Sequence, residues 1–122
     1  MDTKELGNFG EGVACEYLVK KGYKIVGKNY RTKLGEIDII VKKKGLFADE
    51  TIHFVEVKTL NNQSSFFYPE NHFDYRKKNK YKRLAEIWLS KNKYPENTPY
   101  QIDLLTISGS RIDFLENVVS EL

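Results

Sequence analysis

Glu56 and Lys58 stand two residues apart inside the apolar run Phe54-Val55-Glu56-Val57-Lys58-Thr59, and Asp38 stands inside a second one, Gly35-Glu36-Ile37-Asp38-Ile39-Ile40-Val41. In an extended strand successive side chains alternate faces, so Glu56 and Lys58 share one side while Val55 and Val57 take the other. Two carboxylates on neighbouring strands, with an ammonium beside one of them, suit a hard divalent cation, because Mg²⁺ takes oxygen ligands and keeps several waters. The lysine would then orient an attacking water or offset charge building up on a phosphate. The same three residues also read as solvated cross-strand pairs on a half-exposed sheet. The elements around them have to decide.

One such element is basic. Arg76, Lys77, Lys78, Lys80, Lys82, Arg83, Lys91 and Lys93 face a single acid, Glu86, over residues 76–93. Such a block is either a solvated helix face or a phosphate-binding surface. Tyr81, Leu84, Ala85 and Trp88 recur at i, i+3, i+4 and i+7, the stripe of a helix docked on a core. Lys77 falls four residues before Tyr81 and extends the stripe backwards, so it projects inward from the first turn. Asp74 can cap that turn. A lysine aimed inward at a helix start, where the amide dipoles also favour anions, suits a phosphate.

An earlier helix carries Leu6, Gly10, Val13, Ala14, Tyr17 and Leu18 on one face, and Gly22 before Tyr23 stops it. Its start is open, since Asp2-x-x-Glu5 and Asn8-x-x-Glu11 both read as capping boxes. Glu11 is thus a candidate cap. It also borders the apolar stripe beside Ala14 and Leu18, near enough to reach the edge of an underlying sheet, while Glu16 borders the opposite side; helical angle alone does not choose between them.

Strands are predicted from Tyr23 to Tyr30, Glu36 to Val41, Ile52 to Thr59 and Ile102 to Ile107, with a short one from Arg111 to Leu115 after the Gly109-Ser110 turn. Residues 31–34 form a turn and 42–50 a hairpin loop. Residues 61–75 read as a loop carrying Phe66, Phe67, Tyr68 and Pro69, aromatics that either stack on unpaired bases or pin the loop to the body. Residues 117–122 are a frayed end or a last helical turn. The order αβββαβ(β) implies an α/β fold: one central mixed sheet with a helix on each face. Covered faces account for strands that are almost continuously apolar, and an ionised Asp38 or Glu56 in such a layer must find a cation, a metal or donors.

The 122 residues make one domain, 1–122, of ordinary globular composition, with 40% hydrophobic and 30% charged residues and a net charge of +3. This excludes a fibrous or disordered chain. With no apolar stretch of spanning length and no secretory signal, a cytoplasmic location without membrane contact is expected. Cys15 has no second cysteine to pair with, and the two histidines, His53 and His72, offer no zinc spacing.

Gly10-Glu11-x-x-Ala14-x-x-Tyr17-Leu18, Gly22-Tyr23, Asn29-Tyr30-Arg31-x-x-x-Gly35-Glu36-Ile37-Asp38-Ile39-Ile40, Phe54-Val55-Glu56-Val57-Lys58-Thr59, Pro69-Glu70, Lys77-x-x-Lys80 and Asp103 follow one another at set spacing. Together they resemble the YraN family of small bacterial proteins, which looks like a set of endonucleases of the restriction-endonuclease-like superfamily and is similar to archaeal Holliday junction resolvases. The resemblance implies a restriction-endonuclease-like fold and a Mg²⁺- or Mn²⁺-dependent endonuclease acting on double-stranded or branched DNA. By the same resemblance Asp38 and Glu56 hold the metal, Lys58 assists the attacking water and Glu11 is the helix carboxylate supporting the site. Lys77, Lys80, Arg31 and Arg76 would meet the DNA, and a resolvase-like enzyme would be a homodimer, since two cuts are paired. The chain departs from the family pattern at Leu60, Tyr68 and Gln101-Ile102, positions that bear on substrate contacts more than on the metal. Two other readings stand beside this one. The fold could serve as a non-catalytic nucleic-acid-binding module, or as a protein-interaction domain that docks a partner through residues 66–68.

Overall fold

A computed structural model of the chain describes residues 2–60 and 74–119. The elements run α1 (Thr3–Lys20), β1 (Tyr23–Thr32), β2 (Gly35–Lys43), β3 (Ile52–Leu60), α2 (Tyr75–Lys91), β4 (Tyr100–Ser108) and β5 (Arg111–Leu115). The five strands form one sheet in the order β1-β2-β3-β4-β5. Consecutive strands pair antiparallel except β3 and β4, which are parallel because the chain returns to the start of the sheet through α2. The expected mixed sheet flanked by helices is what forms.

Each helix begins on an aspartate. Asp2 accepts from the Glu5 N–H at 2.8 Å, so α1 uses the first of its two possible capping boxes and Glu11 lies well inside the helix. Asp74 accepts from the Lys77 N–H at 2.9 Å. The loop expected to reach Tyr75 therefore ends sooner, because the cap at Asp74 makes Tyr75 the first helical residue. Residues 61–73, including Phe66, Phe67, Tyr68, the Pro69-Glu70 pair and His72, lie outside the described residues.

The sheet packs a core on each face. On the α2 side Ile37, Ile40, Ile52, Phe54 and Leu104 meet Leu84, Ala85 and Trp88, with the Phe54 and Trp88 rings edge to face at 5.7 Å. On the α1 side Ile39, Val41, Val55, Leu105 and Ile107 meet Ala14 and Leu18. Burial on both faces explains why β2 and β3 lack the apolar–polar alternation of a half-exposed sheet. Gly10 is where α1 comes closest, since a Cβ there would collide with Thr59 Oγ1 on β3. That contact offsets the roughly 1 kcal/mol of helix propensity that glycine costs against alanine.

Two boundaries differ from the sequence expectation. The turn predicted over residues 31–34 is tighter: Arg31 and Thr32 pair with Glu36 and Gly35, leaving Lys33 and Leu34 as the connection. Gly35, at φ 147°, has a backbone conformation that L side chains rarely adopt, and a Cβ there would lie 2.8 Å from the flexible end of Lys80, at Cε. After β5, Val118 donates to the Ile102 carbonyl at 2.8 Å and Val119 is buried, so residues 117–119 dock on β4 rather than fray. Among the described residues no helix is long and apolar enough to cross a membrane.

Candidate metal and phosphate site

The site begins where β2 and β3 part. Their ladder pairs Val41 with His53, Ile40 with Phe54 and Ile39 with Val55, and stops there. The next pair in register would be Asp38 and Glu56. In place of a backbone partner, the Val57 N–H donates to Asp38 Oδ2 at 2.8 Å, so the side chain closes the opening that the backbones leave.

The pleat also breaks at Asp38. Ile37 is buried in the α2-side core and Ile39 in the α1-side core, although residues two apart in a regular strand share a face. Across from Asp38, β1 is irregular as well: Lys28 pairs with Ile39 and Tyr30 with Ile37, while Asn29 between them has φ 51° and no ladder partner.

Four carboxylates collect around this break. Glu11 from α1, Glu36 and Asp38 each offer an oxygen, and the three oxygens lie within 4.8 Å of one another. Glu56 lies across the opening, outside that close group but on the same cleft lining as Asp38. Burial pushes the Asp38 carboxyl up to about 7; the Val57 N–H pulls it down, and the charges of Glu11, Glu56 and Glu36 push it further up. Burial also raises Glu11, as does Glu36, against Lys28, Arg31 and the Asn29 amide, which lower it.

The opposite wall is cationic and belongs to α2. An open cleft of about 480 Å³ is lined by Gly35, Glu36, Asp38 and Glu56 on the sheet and by Arg76, Lys77, Lys80 and Tyr81 on the helix. Lys77 points inward as its spacing predicts, and its Nζ lies 3.3 Å from Glu56 Oε1. Tyr81 is buried beside it and hydrogen-bonds Glu56; burial first, and then the Glu56 and Asp38 charges, push its phenol far above the ordinary range.

The structure thus gathers Asp38, Glu56, Lys77, Lys80 and Arg76 on one cleft and sets Glu11 behind Asp38. Glu16, the other helix carboxylate, pairs with Lys20 at 3.7 Å on the outer surface. Lys58 and Arg31 stand apart from the cleft lining. Lys58 is exposed, and Arg31 pairs with Glu36 at 3.4 Å at the margin of the cluster. Glu36 is the carboxylate to which the sequence reading gave no role. The available signal was its spacing, two residues before Asp38 and across the β1–β2 hairpin from Arg31.

A second polar cluster lies at the far end of the α1 face. His53 Nδ1 lies 2.6 Å from Asp103 Oδ2, while Asp103 Oδ1 accepts from Gln101 Nε2 and from the Asn117 N–H, each at 2.8 Å. Asp103 is fully buried with all of this satisfied, so it ties the segment after β5 to the sheet.

The donors around Asp38 are carboxylate oxygens, held close together at the cost of raising one of them toward neutrality, and this set fits Mg²⁺ or Mn²⁺ and not a soft metal. A family model described as uncharacterised protein family UPF0102 matches residues 10–114. The chain belongs to UPF0102. A UPF0102 protein of Clostridioides difficile is 45% identical over 107 residues, covering 88% of each chain. A second, from Campylobacter fetus, is 38% identical over 121 residues, covering 97% of this chain and 98% of its own. A third, from Caldicellulosiruptor saccharolyticus, is 41% identical over 107 residues, covering 88% and 85%. The UPF0102 match spans Glu11 and every residue named in the cleft, from Gly35 to Tyr81.

Proposed function

We propose that this UPF0102 protein is a Mg²⁺- or Mn²⁺-dependent endonuclease that hydrolyses DNA phosphodiesters. The observation that carries the reading is the convergence of Asp38 and Glu56 with Arg76, Lys77 and Lys80 on one cleft, at the place where β2 and β3 separate. A divalent cation held by Asp38, with the Glu11 and Glu36 oxygens grouped beside it and Glu56 facing it across the opening, would polarise the scissile phosphate and acidify a water.

The chain's own groups have separable tasks. Asp38 must lose its proton to serve, so its raised pKa ties cation loading to pH. Arg76 and Lys80 receive backbone phosphates, and Tyr81 fixes the Glu56 carboxylate. Lys77, which pairs with Glu56, would be released toward a phosphate if a cation were bound at that carboxylate. Gly35, with φ 147°, lets the β2 backbone take a conformation that side chains disfavour, and a Cβ there would push the flexible end of Lys80.

The test uses purified protein with Mg²⁺ or Mn²⁺ on linear, nicked, flapped and four-way DNA. Cleavage that is lost in Asp38→Ala and in Glu56→Gln supports the reading. No cleavage above the Asp38→Ala background on any of these substrates ends it.

The position of Lys58 outside the cleft favours a second reading, a nucleic-acid-binding module that keeps the basic wall without chemistry. It predicts salt-sensitive DNA binding that survives Glu56→Gln.

A further inference from the structure

We propose that Asn29 is a positioning residue for the acidic cluster: its left-handed backbone, opposite Asp38, turns that carboxylate out of the pleat and into the plane of the sheet. A regular pleat would put Ile37 and Ile39 on one face. Here they lie in opposite cores, so Asp38 between them belongs to neither face and reaches along the sheet to the Val57 N–H. The matching flip on β1 is at Asn29. On β1 the Cβ position of Gly27 faces Ile40 and Trp88 on the α2 side, and Tyr30, three residues on, packs on that same side, so alternation fails there too.

Asn29 has φ 51°, a conformation asparagine tolerates and β-branched residues do not. Strained backbone of this kind persists where the surrounding structure holds it, and such positions cluster at functional sites. The benefit is geometric. Glu56 approaches from the α2 side with Lys77 and Tyr81, while Glu11 comes from α1, and a carboxylate in the sheet plane meets both. The Asn29 amide, on its side, acts on the Glu11 carboxyl.

Two substitutions separate these effects in the full chain. Asn29→Gly keeps the left-handed backbone and removes the amide; Asn29→Val, or Asn29→Ala if the valine variant does not fold, opposes the backbone. Hydrogen exchange of the Val57 amide is read against Ile40 and Phe54, which share the sheet but not the break. The expected result is Val57 exchange faster by about 10-fold relative to those controls in Asn29→Val and within about 2-fold in Asn29→Gly. Titration with Mn²⁺ alone should show half-saturation raised about 10-fold in Asn29→Val, the size typical of losing a residue that orients a ligand. The proposal is overturned if Val57 exchange changes only in step with Ile40 and Phe54, or if Asn29→Gly exposes Val57 as much as Asn29→Val does. Only the Mn²⁺ arm rests on the metal reading. Wild-type protein that takes up no Mn²⁺ ends that reading, and the exchange comparison still decides whether Asn29 aims Asp38.

Discussion

Lys77 Nζ lies 3.3 Å from Glu56 Oε1, so the inward ammonium of α2 meets a carboxylate of its own cleft. The two are held in a half-buried setting, where such a pair is screened less than on the surface. On the proposed metal reading, a divalent cation reaching Glu56 would compete with this ammonium.

Removing the ammonium should therefore separate cation binding from DNA binding. In Lys77→Ala, Mn²⁺ affinity measured by calorimetry should rise several-fold, because its competitor is gone. DNA affinity should fall, and the slope of log K against log salt should drop by about 1. Weaker Mn²⁺ binding with unchanged DNA binding would contradict the displacement picture.

The cleft ranks Glu36 above Lys58. Glu36→Gln removes a charge within 4.8 Å of Asp38 and should weaken Mn²⁺ binding about 10-fold, whereas Lys58→Ala should leave it within about 2-fold. The same calorimetric titration on both variants decides it, and the reverse order would move the site along β3.

Asp38 sets a pH dependence whose sign is fixed. Its folded pKa, about 7, exceeds the ordinary 3.8, so the folded state holds its proton more tightly than the unfolded chain does. Stability from this group is greatest at low pH, falls as pH rises from about 4 to about 7, and stays lost above that. Each unit of displacement corresponds to about 1.4 kcal/mol. Asp38→Asn should therefore raise the Tm at pH 8, with the gain shrinking toward pH 4, while cleavage by the wild type should climb through pH 7. Thermal melts across pH test the first part; a gain that grows on acidification would refute it.

Gly10 tests the α1–β3 approach independently of any ligand. Gly10→Ala should destabilise by about 1–3 kcal/mol despite alanine's better helix propensity, because the new methyl meets Thr59 Oγ1. Thr59→Ala in the same chain removes that oxygen and should restore much of the loss. Chemical denaturation of the two variants checks this, and a stabilising Gly10→Ala would show that the helix can shift outward.

Much of this was legible because it is local. The stripe Tyr81, Leu84, Ala85 and Trp88 faces the core and carries Lys77 inward with it, and Asp74 caps where its spacing suggested. The mixed sheet followed from the order of elements. What was not legible depends on departures from regular geometry. Alternation would have set Asp38 squarely on one face; the break at Asn29 redirects it, and asparagine's tolerance of the left-handed region does not by itself say which asparagine of a strand adopts it. Glu56 and Lys58, neighbours by spacing on a strand that stays in register with β4, differ in their cover: Glu56 meets Lys77 of α2, whereas Lys58 is exposed. The His53–Asp103 contact joins residues 50 apart on parallel strands, a separation that no local pattern reveals.

The parallel pairing of β3 with β4 also bears on the order in which the protein assembles. The acidic half of the cleft comes from the contiguous stretch α1 to β3, whose hairpins close over short loops. The basic half arrives only when the crossover through α2 brings β4 alongside β3, a long-range closure that carries most of the entropic delay. If that crossover closes last, the carboxylates gather before Lys77 and Lys80 oppose them. Refolding of this chain should quicken with ionic strength, and more steeply with millimolar Mg²⁺ than with sodium at equal ionic strength.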